Sequence, residues 1–237
     1  MTGRARGIRA ENRERLETEI LRLGRDQLAS VGPAALSVRA IARDLGMASS
    51  AVYRYVASRD ELLTRLIVES YDSLGDAVAA AHAAVPRDDL HGRWSAAGKA
   101  LREWGIRHPH DWALLYGSPV PGYAAPADRT TDPGTRVQML LVDLLRDAVA
   151  AGAQAPDDRR PLPSPEVVAL ARSLLTDLGL TDAQLPAPLF PAGIAAWTLA
   201  VASVSAEVFE HFGPLGPQAY AALHGHALAL AAGIILR

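Results

Sequence analysis

Residues 36–63, LSVRAIARDLGMASSAVYRYVASRDELL, carry two short helical patterns broken by Leu45, Gly46 and Met47, and a third helix start follows at Ser58. Val38, Ile41, Ala42 and Leu45 recur at the three- and four-residue steps of one helical face. Ser37 stands where its hydroxyl can accept an orphan N–H of the first turn. Gly46 ends that helix with little strain, because a left-handed backbone there meets no Cβ. Val52 and Val56 continue an inward face. Ser58, Arg59, Asp60 and Glu61 fit a capping box in which Glu61 reaches back, and Leu62, Leu63, Leu66 and Ile67 open the apolar face of a long fourth helix. The second short helix presents Ser49, Ser50, Tyr53, Arg54 and Tyr55, a set too wet for a core helix. That is how a helix-turn-helix reads when its second helix enters the major groove of DNA. The bland alternative is an all-α protein that uses the same geometry without touching nucleic acid.

Charge distribution favours the first reading. The chain as a whole is nearly balanced, with 24 basic and 26 acidic residues. Residues 1–65, however, hold twelve Arg against eight acids, and the remainder is acidic. Positive potential therefore gathers at the end that carries the helix-turn-helix, where phosphate attraction supplies most non-specific affinity. Arg4, Arg6, Arg9, Arg13 and Arg15 crowd the first fifteen residues. Residues 1–12 read as a flexible basic arm, either a solubilising tail or a segment that touches phosphates or a minor groove.

There are no cysteines, which excludes disulfides and thiolate metal sites. No signal peptide is visible, since the basic N-terminus has no apolar run behind it. No Asp, Glu, Lys or Arg occurs between Phe212 and Leu236, but prolines, Gln218, His224 and His226 interrupt that stretch. Its strictly apolar tail from Ala227 to Leu236 is too short to span a bilayer. A cytoplasmic protein with no membrane partner is expected.

Beyond residue 68 every pattern is helical, and no alternating strand pattern or internal repeat occurs. The fourth helix stops before Pro86. Further helices are expected over about 88–107, 109–116, 133–151, 164–178, 191–212 and 217–236, with a proline-rich loop at 118–126 and a polar connector at 152–163. The fold class is all-α, about ten helices, with a helix-turn-helix domain at 13–68 and a larger helical regulatory and dimerisation domain at 69–237. In the ninth helix Ile194, Trp197, Val201, Val204, Val208 and Phe212 form one apolar face, and Ala195, Ala196, Ala200, Ala202, Ser203 and Ser205 are small enough for close helix approach. The last two helices are apolar over most of their circumference and must be buried on more than one side, within the chain or against a second copy.

Ser37, Ile41, Ala42, Gly46, Tyr53, Tyr55, Ser58, Arg59 and Leu62 together resemble the DNA-binding domain of the tetracycline-repressor (TetR) family of bacterial transcription regulators. The resemblance covers roughly residues 12–68. Two positions depart from it: Ala48 replaces the usual capping Ser or Thr, leaving Ser49 or Ser50 to cap, and Val56 replaces Phe. The stretch from Trp104 to Tyr123 resembles the regulatory domain of a subgroup that often carries Trp and then His-Gly (WHG) in its ninth helix; here Trp197 is present and the pair is absent. The resemblance implies a ligand-responsive homodimer that pairs through its last two helices. Two recognition helices then meet successive major grooves of a palindromic operator, and a small molecule releases the repressor.

Candidate DNA contacts are Arg39, Ser49, Ser50, Tyr53, Arg54, Tyr55 and Arg59. Arg39 can reach a guanine edge or a phosphate, and the two serines can bond phosphate or base atoms. The resemblance implies phosphate contacts for Tyr53 and Arg59 and a base-edge or phosphate contact for Tyr55, while Arg54 either contacts DNA or pairs with an acid. Candidate lining of an effector pocket is Trp104, Trp112, Tyr116, Met139 and Trp197, near His108 and His110; aromatic residues on such helices are also ordinary core. An apolar cavity suits a small hydrophobic or aromatic effector. His108/His110 and His224/His226 invite a metal, but two histidines two apart on a helix point to opposite sides, so no metal or cofactor is expected. The competing class is a helical small-molecule-binding protein or enzyme with a vestigial DNA-binding domain. Against an enzyme stands the lack of a nucleotide loop, a nucleophile elbow and a metal-ligand helix.

Overall fold

The computed structural model describes residues 2–152 and 163–236, with side chains from residue 11 onward. All regular structure in these residues is helical: α1 (Thr2–Val31), a 3-10 turn (Pro33–Ala35), α2 (Val38–Asp44), α3 (Ser49–Val52), α4 (Arg59–Ala83), α5 (Leu90–Arg107), α6 (Pro109–Tyr116), α7 (Ala127–Ala150), α8 (Pro165–Asp177), α9 (Leu189–Val208) and α10 (Pro217–Ile235). The backbone expected as a flexible arm at 1–12 instead forms the first turns of α1 from Thr2. The side chains of Arg4, Arg6 and Arg9 lie outside the described residues, as does most of the connector at 152–163.

The chain forms two compact units, one of residues 1–72 with 108–134, the other of residues 73–107 with 135–237. Segment 108–134, which the sequence reading places in the second domain, thus packs with the helix-turn-helix. The core of the first unit is a continuous apolar cluster that includes Ile20, Leu28, Ile41, Val52, Val56, Leu62 and Leu66, and Leu114, Val120 and Tyr123 pack against it. Val120, Pro121, Gly122 and Tyr123 make a tight turn closed by Tyr123 N–H to Val120 O, with Gly122 at φ 74° supplying the positive dihedral. That turn delivers the Tyr123 hydroxyl to Thr64 Oγ1 at 2.9 Å. Polar contacts continue the attachment: Ser70 donates to Asp111, and Arg25 pairs with Glu69.

In the second unit α9 packs along α10, α5 and α8. The buried stripe of α9 is Gly193, Ala196, Ala200 and Val204, whereas Ile194 and Phe212 are largely exposed. The expected face is thus split: Val204 is buried, Trp197, Val201 and Val208 are half-buried, and Ile194 and Phe212 are exposed. Gly193, Ala196 and Ala200 serve close packing inside the chain, whereas Ala195 and Ala202 are exposed. The α9–α10 hairpin is closed by Tyr220 Oη donating to Gly213 O at 2.7 Å. Where α5 crosses α10, Trp94 Nε1 donates to Leu228 O and His224 Nε2 to Gly98 O. The approach is close enough that a Cβ on Gly98 would lie 2.5 Å from both Leu228 methyl carbons. Burial depresses the His224 pKa, which suits a neutral ring.

Two boundaries differ from expectation. Helix α7 begins at Ala127, six residues before the predicted start, and carries Pro133 in its interior. A proline there deprives one carbonyl of its donor but does not stop a helix whose following residues are strongly apolar on one face. Helix α9 ends at Val208, and Phe209 to Gly216 form the turn into α10. Among the described helices α9 alone, with mean hydropathy 1.6, is long and apolar enough to cross a membrane. The transmembrane question thus belongs to α9 rather than to the uncharged stretch after Phe212, and α9 buries its small-residue stripe inside the second unit.

Candidate nucleic-acid interface

Helix α2 is anchored at its start by side chains. Ser37 Oγ accepts from Ala40 N–H, and Gln27 clasps the Ser37 backbone from α1, donating to its carbonyl and accepting its N–H at 2.8 Å. The end is a Schellman motif: Gly46 N–H bonds Arg43 O, Met47 N–H bonds Ala42 O, and Gly46 sits at φ 64°. This turn aims α3. Ala48 is the N-cap of α3 and makes no side-chain bond, so neither Ser49 nor Ser50 takes the capping role expected of them. Regular α-helix lasts only to Val52; turns through Tyr55 carry the chain to Val56, whose N–H bonds Val52 O. Val52 and Val56 are fully buried and pin this segment to the core.

The opposite side of α2 and α3 faces outward. Arg39, Ser50, Tyr53 and Arg54 are exposed, and Ser49 is half-buried. Arg39 and Arg54 make no ion pair among the described residues. Arg43, which sequence reasoning passed over, shares their exposure on α2 and is also free of ion pairs. Its signal was its place two residues after Ile41 on the polar side of an amphipathic helix. Tyr55 is half-buried with the Arg13 guanidinium 5.6 Å from its ring centroid, a cation–π arrangement that ties it to α1. Arg59 is placed differently from the outward phosphate contact expected for it. Its Nη2 donates to Pro33 O and Ala34 O, so the guanidinium braces the 3-10 turn. Ser58 caps α4 by accepting from Glu61 N–H, but Glu61 does not reach back; its carboxylate takes Arg129 and Arg65 instead. Those hydrogen bonds, that from Arg129 foremost, hold its pKa below the usual glutamate range despite partial burial.

The expected pocket residues divide between the two units. Trp112 and Tyr116 belong to the first unit, where their ring centroids lie 4.5 Å apart and burial pushes the Tyr116 phenol pKa upward. Trp104 is buried in the second unit and donates to Ser73 Oγ, and Met139 points outward. Trp197 lines an apolar cavity. That cavity lies among α4, α5, α7 and α9, with Val78, His82, Trp94, Leu101, Leu140, Leu144 and Trp197 in its wall, and has a volume of about 30 Å³. Trp94 was missed because its helix carries no sequence mark of a cavity. Behind the wall Arg93, almost fully buried, donates to Asp147, Arg87 O and His82 Nε2, and exposed Arg87 also pairs with Asp147. Burial opposes ionisation of Asp147, and the two arginines overcome it, holding its pKa below the ordinary value. His82 is held low by burial and then by Arg93. Among the described residues no cluster of three metal-ligating side chains forms.

A sequence profile for bacterial regulatory proteins of the tetR family matches residues 20–66, and one for the tetracyclin repressor-like C-terminal domain matches residues 94–231. The chain belongs to the TetR family. The C-terminal profile is described for the family as a whole and does not single out the WHG subgroup. The HTH-type transcriptional regulators Rv1816 of Mycobacterium tuberculosis (strain ATCC 25618 / H37Rv) and Mb1846 of Mycobacterium bovis are each 54% identical over 151 residues. That match spans 62% of this chain and 61% of each relative. The crystal structure of the regulatory protein SCO4313 superposes with a TM-score of 0.74 at 31% identity, covering 94% of this chain and 98% of that one. The TetR family transcriptional regulator PfmR from Thermus thermophilus shares the fold, at TM-score 0.54 and 17% identity over 91% of this chain and 96% of its own.

Proposed function

We propose that this TetR-family chain is a DNA-binding transcriptional repressor that acts as a two-fold dimer and is released from a palindromic operator by a small apolar molecule. The observation that carries the reading is the outward face of α2 and α3, where Arg39, Arg43, Ser50, Tyr53 and Arg54 stand exposed over a buried Val52–Val56 anchor. Exposed arginines that form no ion pair among the described residues suit phosphates and guanine edges. Tyr53 adds a phosphate contact, Ser49 borders the same face, and Tyr55 is held beside it by Arg13. Arg59 supports the turn rather than offering its charge to DNA.

Dimerisation rests on the outward sides of α9 and α10 and the start of the turn between them, where Ile194, Phe209, Leu223 and Leu230 are exposed. Helix α10 has no charged residue, and α9 has only Glu207, which pairs with Arg102. The effector site is the cavity walled by Trp94 and Trp197. Its lining is almost wholly apolar, and its 30 Å³ holds roughly two waters at 10–15 Å³ each. A larger ligand selects a conformer in which these helices part, and its differential affinity for that conformer lowers DNA affinity.

The test is a gel shift with DNA flanking the chain's own gene, repeated across a salt series. Specific binding whose logarithm falls linearly with log salt is expected. Arg39→Ala with Arg54→Ala should weaken it and flatten the slope by about one unit for every phosphate that the two arginines neutralise. Unchanged binding by the double variant removes this face as the reading surface.

A further inference from the structure

His82, in the last turn of α4, is the one ionisable side chain among the described residues in the wall of the cavity shared by α4, α5, α7 and α9. Its neighbours decide which ring nitrogen carries the hydrogen. Arg93 Nε donates to His82 Nε2 at 3.2 Å. A guanidinium keeps its hydrogens at every ordinary pH and has no lone pair to accept with, so Nε2 is the accepting nitrogen. Burial, and after it the Arg93 charge, disfavours the imidazolium and holds the His82 pKa below its ordinary value, although Asp143 and Asp147 pull the other way. The neutral ring therefore carries its hydrogen on Nδ1. Arg93 is not at liberty to turn away and release Nε2. It is almost fully buried, and its Nη1 is committed to Asp147 and to Arg87 O.

A donor is left over. No residue among the described ones accepts from His82 Nδ1–H. Trp94, which also has a polar hydrogen and stands in the same wall, spends it on Leu228 O. We infer that His82 Nδ1–H selects the effector, and that the effector is a small, largely apolar molecule carrying one neutral oxygen acceptor, such as a ketone, ester or ether; the inference rests on the effector-site reading given above. The ring is half-buried, so water can serve Nδ1–H while the site is empty. A pure hydrocarbon that shuts the water out strands that donor, and a stranded donor costs more than a made bond returns. A carboxylate faces the opposite difficulty, since it gives up its hydration for a single neutral donor in an apolar wall. A neutral carbonyl or ether oxygen meets neither penalty in full.

The test measures dissociation constants of the full-length chain by calorimetry for cyclohexanone and methylenecyclohexane, which have nearly the same shape and differ in an oxygen acceptor against a methylene group. The ratio of the two constants is the quantity read, because the hydration of each free molecule is common to every variant. His82→Leu should move that ratio about fivefold against the ketone, the ordinary net effect of one neutral hydrogen bond. His82→Gln can still accept from Arg93 and donate an amide N–H, and should keep most of the parent ratio. A second measurement needs only the parent fold. Long-range proton–nitrogen spectra of histidine-labelled protein at neutral pH should show His82 as the Nδ1–H tautomer, its signal assigned by its loss in His82→Gln. If both molecules bind and His82→Leu leaves the ratio unchanged, or if the tautomer is Nε2–H, the inference falls and the effector-site reading stands. A parent chain that binds neither molecule overturns both.

Discussion

Glu61 shows how one side chain can be read correctly in kind and wrongly in partner. The capping-box pattern placed a carboxylate at the third position of α4, and Ser58 does cap that turn. Arg129 and Arg65, however, offer charge-assisted bonds that a backbone N–H cannot match. The folded pKa of Glu61 is depressed, so its stabilisation is present above the ordinary glutamate range and disappears as pH falls through the folded value. Glu61→Gln should therefore lower stability at pH 7 by under about 1 kcal/mol, since Arg129 is partly exposed. The gap to the parent should close in acid. Urea titrations at pH 7 and pH 3 that give the same gap would contradict the assignment. Arg59 carries the same lesson. Its position in the motif was legible, but the carbonyls of Pro33 and Ala34 that receive it lie more than twenty residues away and leave no local trace.

At the level of helices, periodicity located nearly every element, and cap chemistry located several of the ends: Ser37, Gly46 and Ser58 all stand where they were expected to punctuate. Orientation was harder. Helix α9 is apolar all round, so no contrast in its sequence distinguishes the Ala196–Ala200–Val204 side from the Ile194 side. The choice is made by how closely α10 and α5 approach. The start of α7 was hidden by Pro133, a residue that ordinarily ends a helix and here is carried inside one. Buried charge gives this scale its sharpest prediction. Arg93 has 6% of its side chain exposed and depends on Asp147, whereas Arg87 is 85% exposed. Asp147→Ala leaves Arg93 uncompensated in the interior and should cost about 3 kcal/mol. Arg87→Ala should leave the denaturation midpoint where it was. Equal effects from the two substitutions would mean that the pair acts at the surface only.

For the molecule as a whole, the division into a DNA-reading unit and a helical second unit was visible in the charge asymmetry and in the helix-turn-helix. The assignment of segment 108–134 was not, because Trp112 and Tyr116 look alike as core or as pocket lining until their neighbours are known. The four tryptophans now separate by location. Trp94 and Trp197 wall the cavity, Trp104, which is not part of that wall, is bonded to Ser73, and Trp112 lies in the first unit. A toluene-sized aromatic taken up by the cavity should change tryptophan emission in the Trp112→Phe and Trp104→Phe variants as in the parent, and much less once Trp94→Phe and Trp197→Phe are combined. A response that survives the combined substitution and vanishes with Trp112→Phe would place the uptake elsewhere.

The smallness of that void also bears on tempo. If the cavity is the effector site proposed above, a guest bigger than a pair of waters would need its walls to part, and such collective helix movements run on microsecond-to-millisecond clocks or slower. Raising the dose speeds uptake only until wall opening becomes the bottleneck. Beyond that ceiling, uptake at the proposed effector site would be timed by the helices that wall it rather than by how much guest surrounds them.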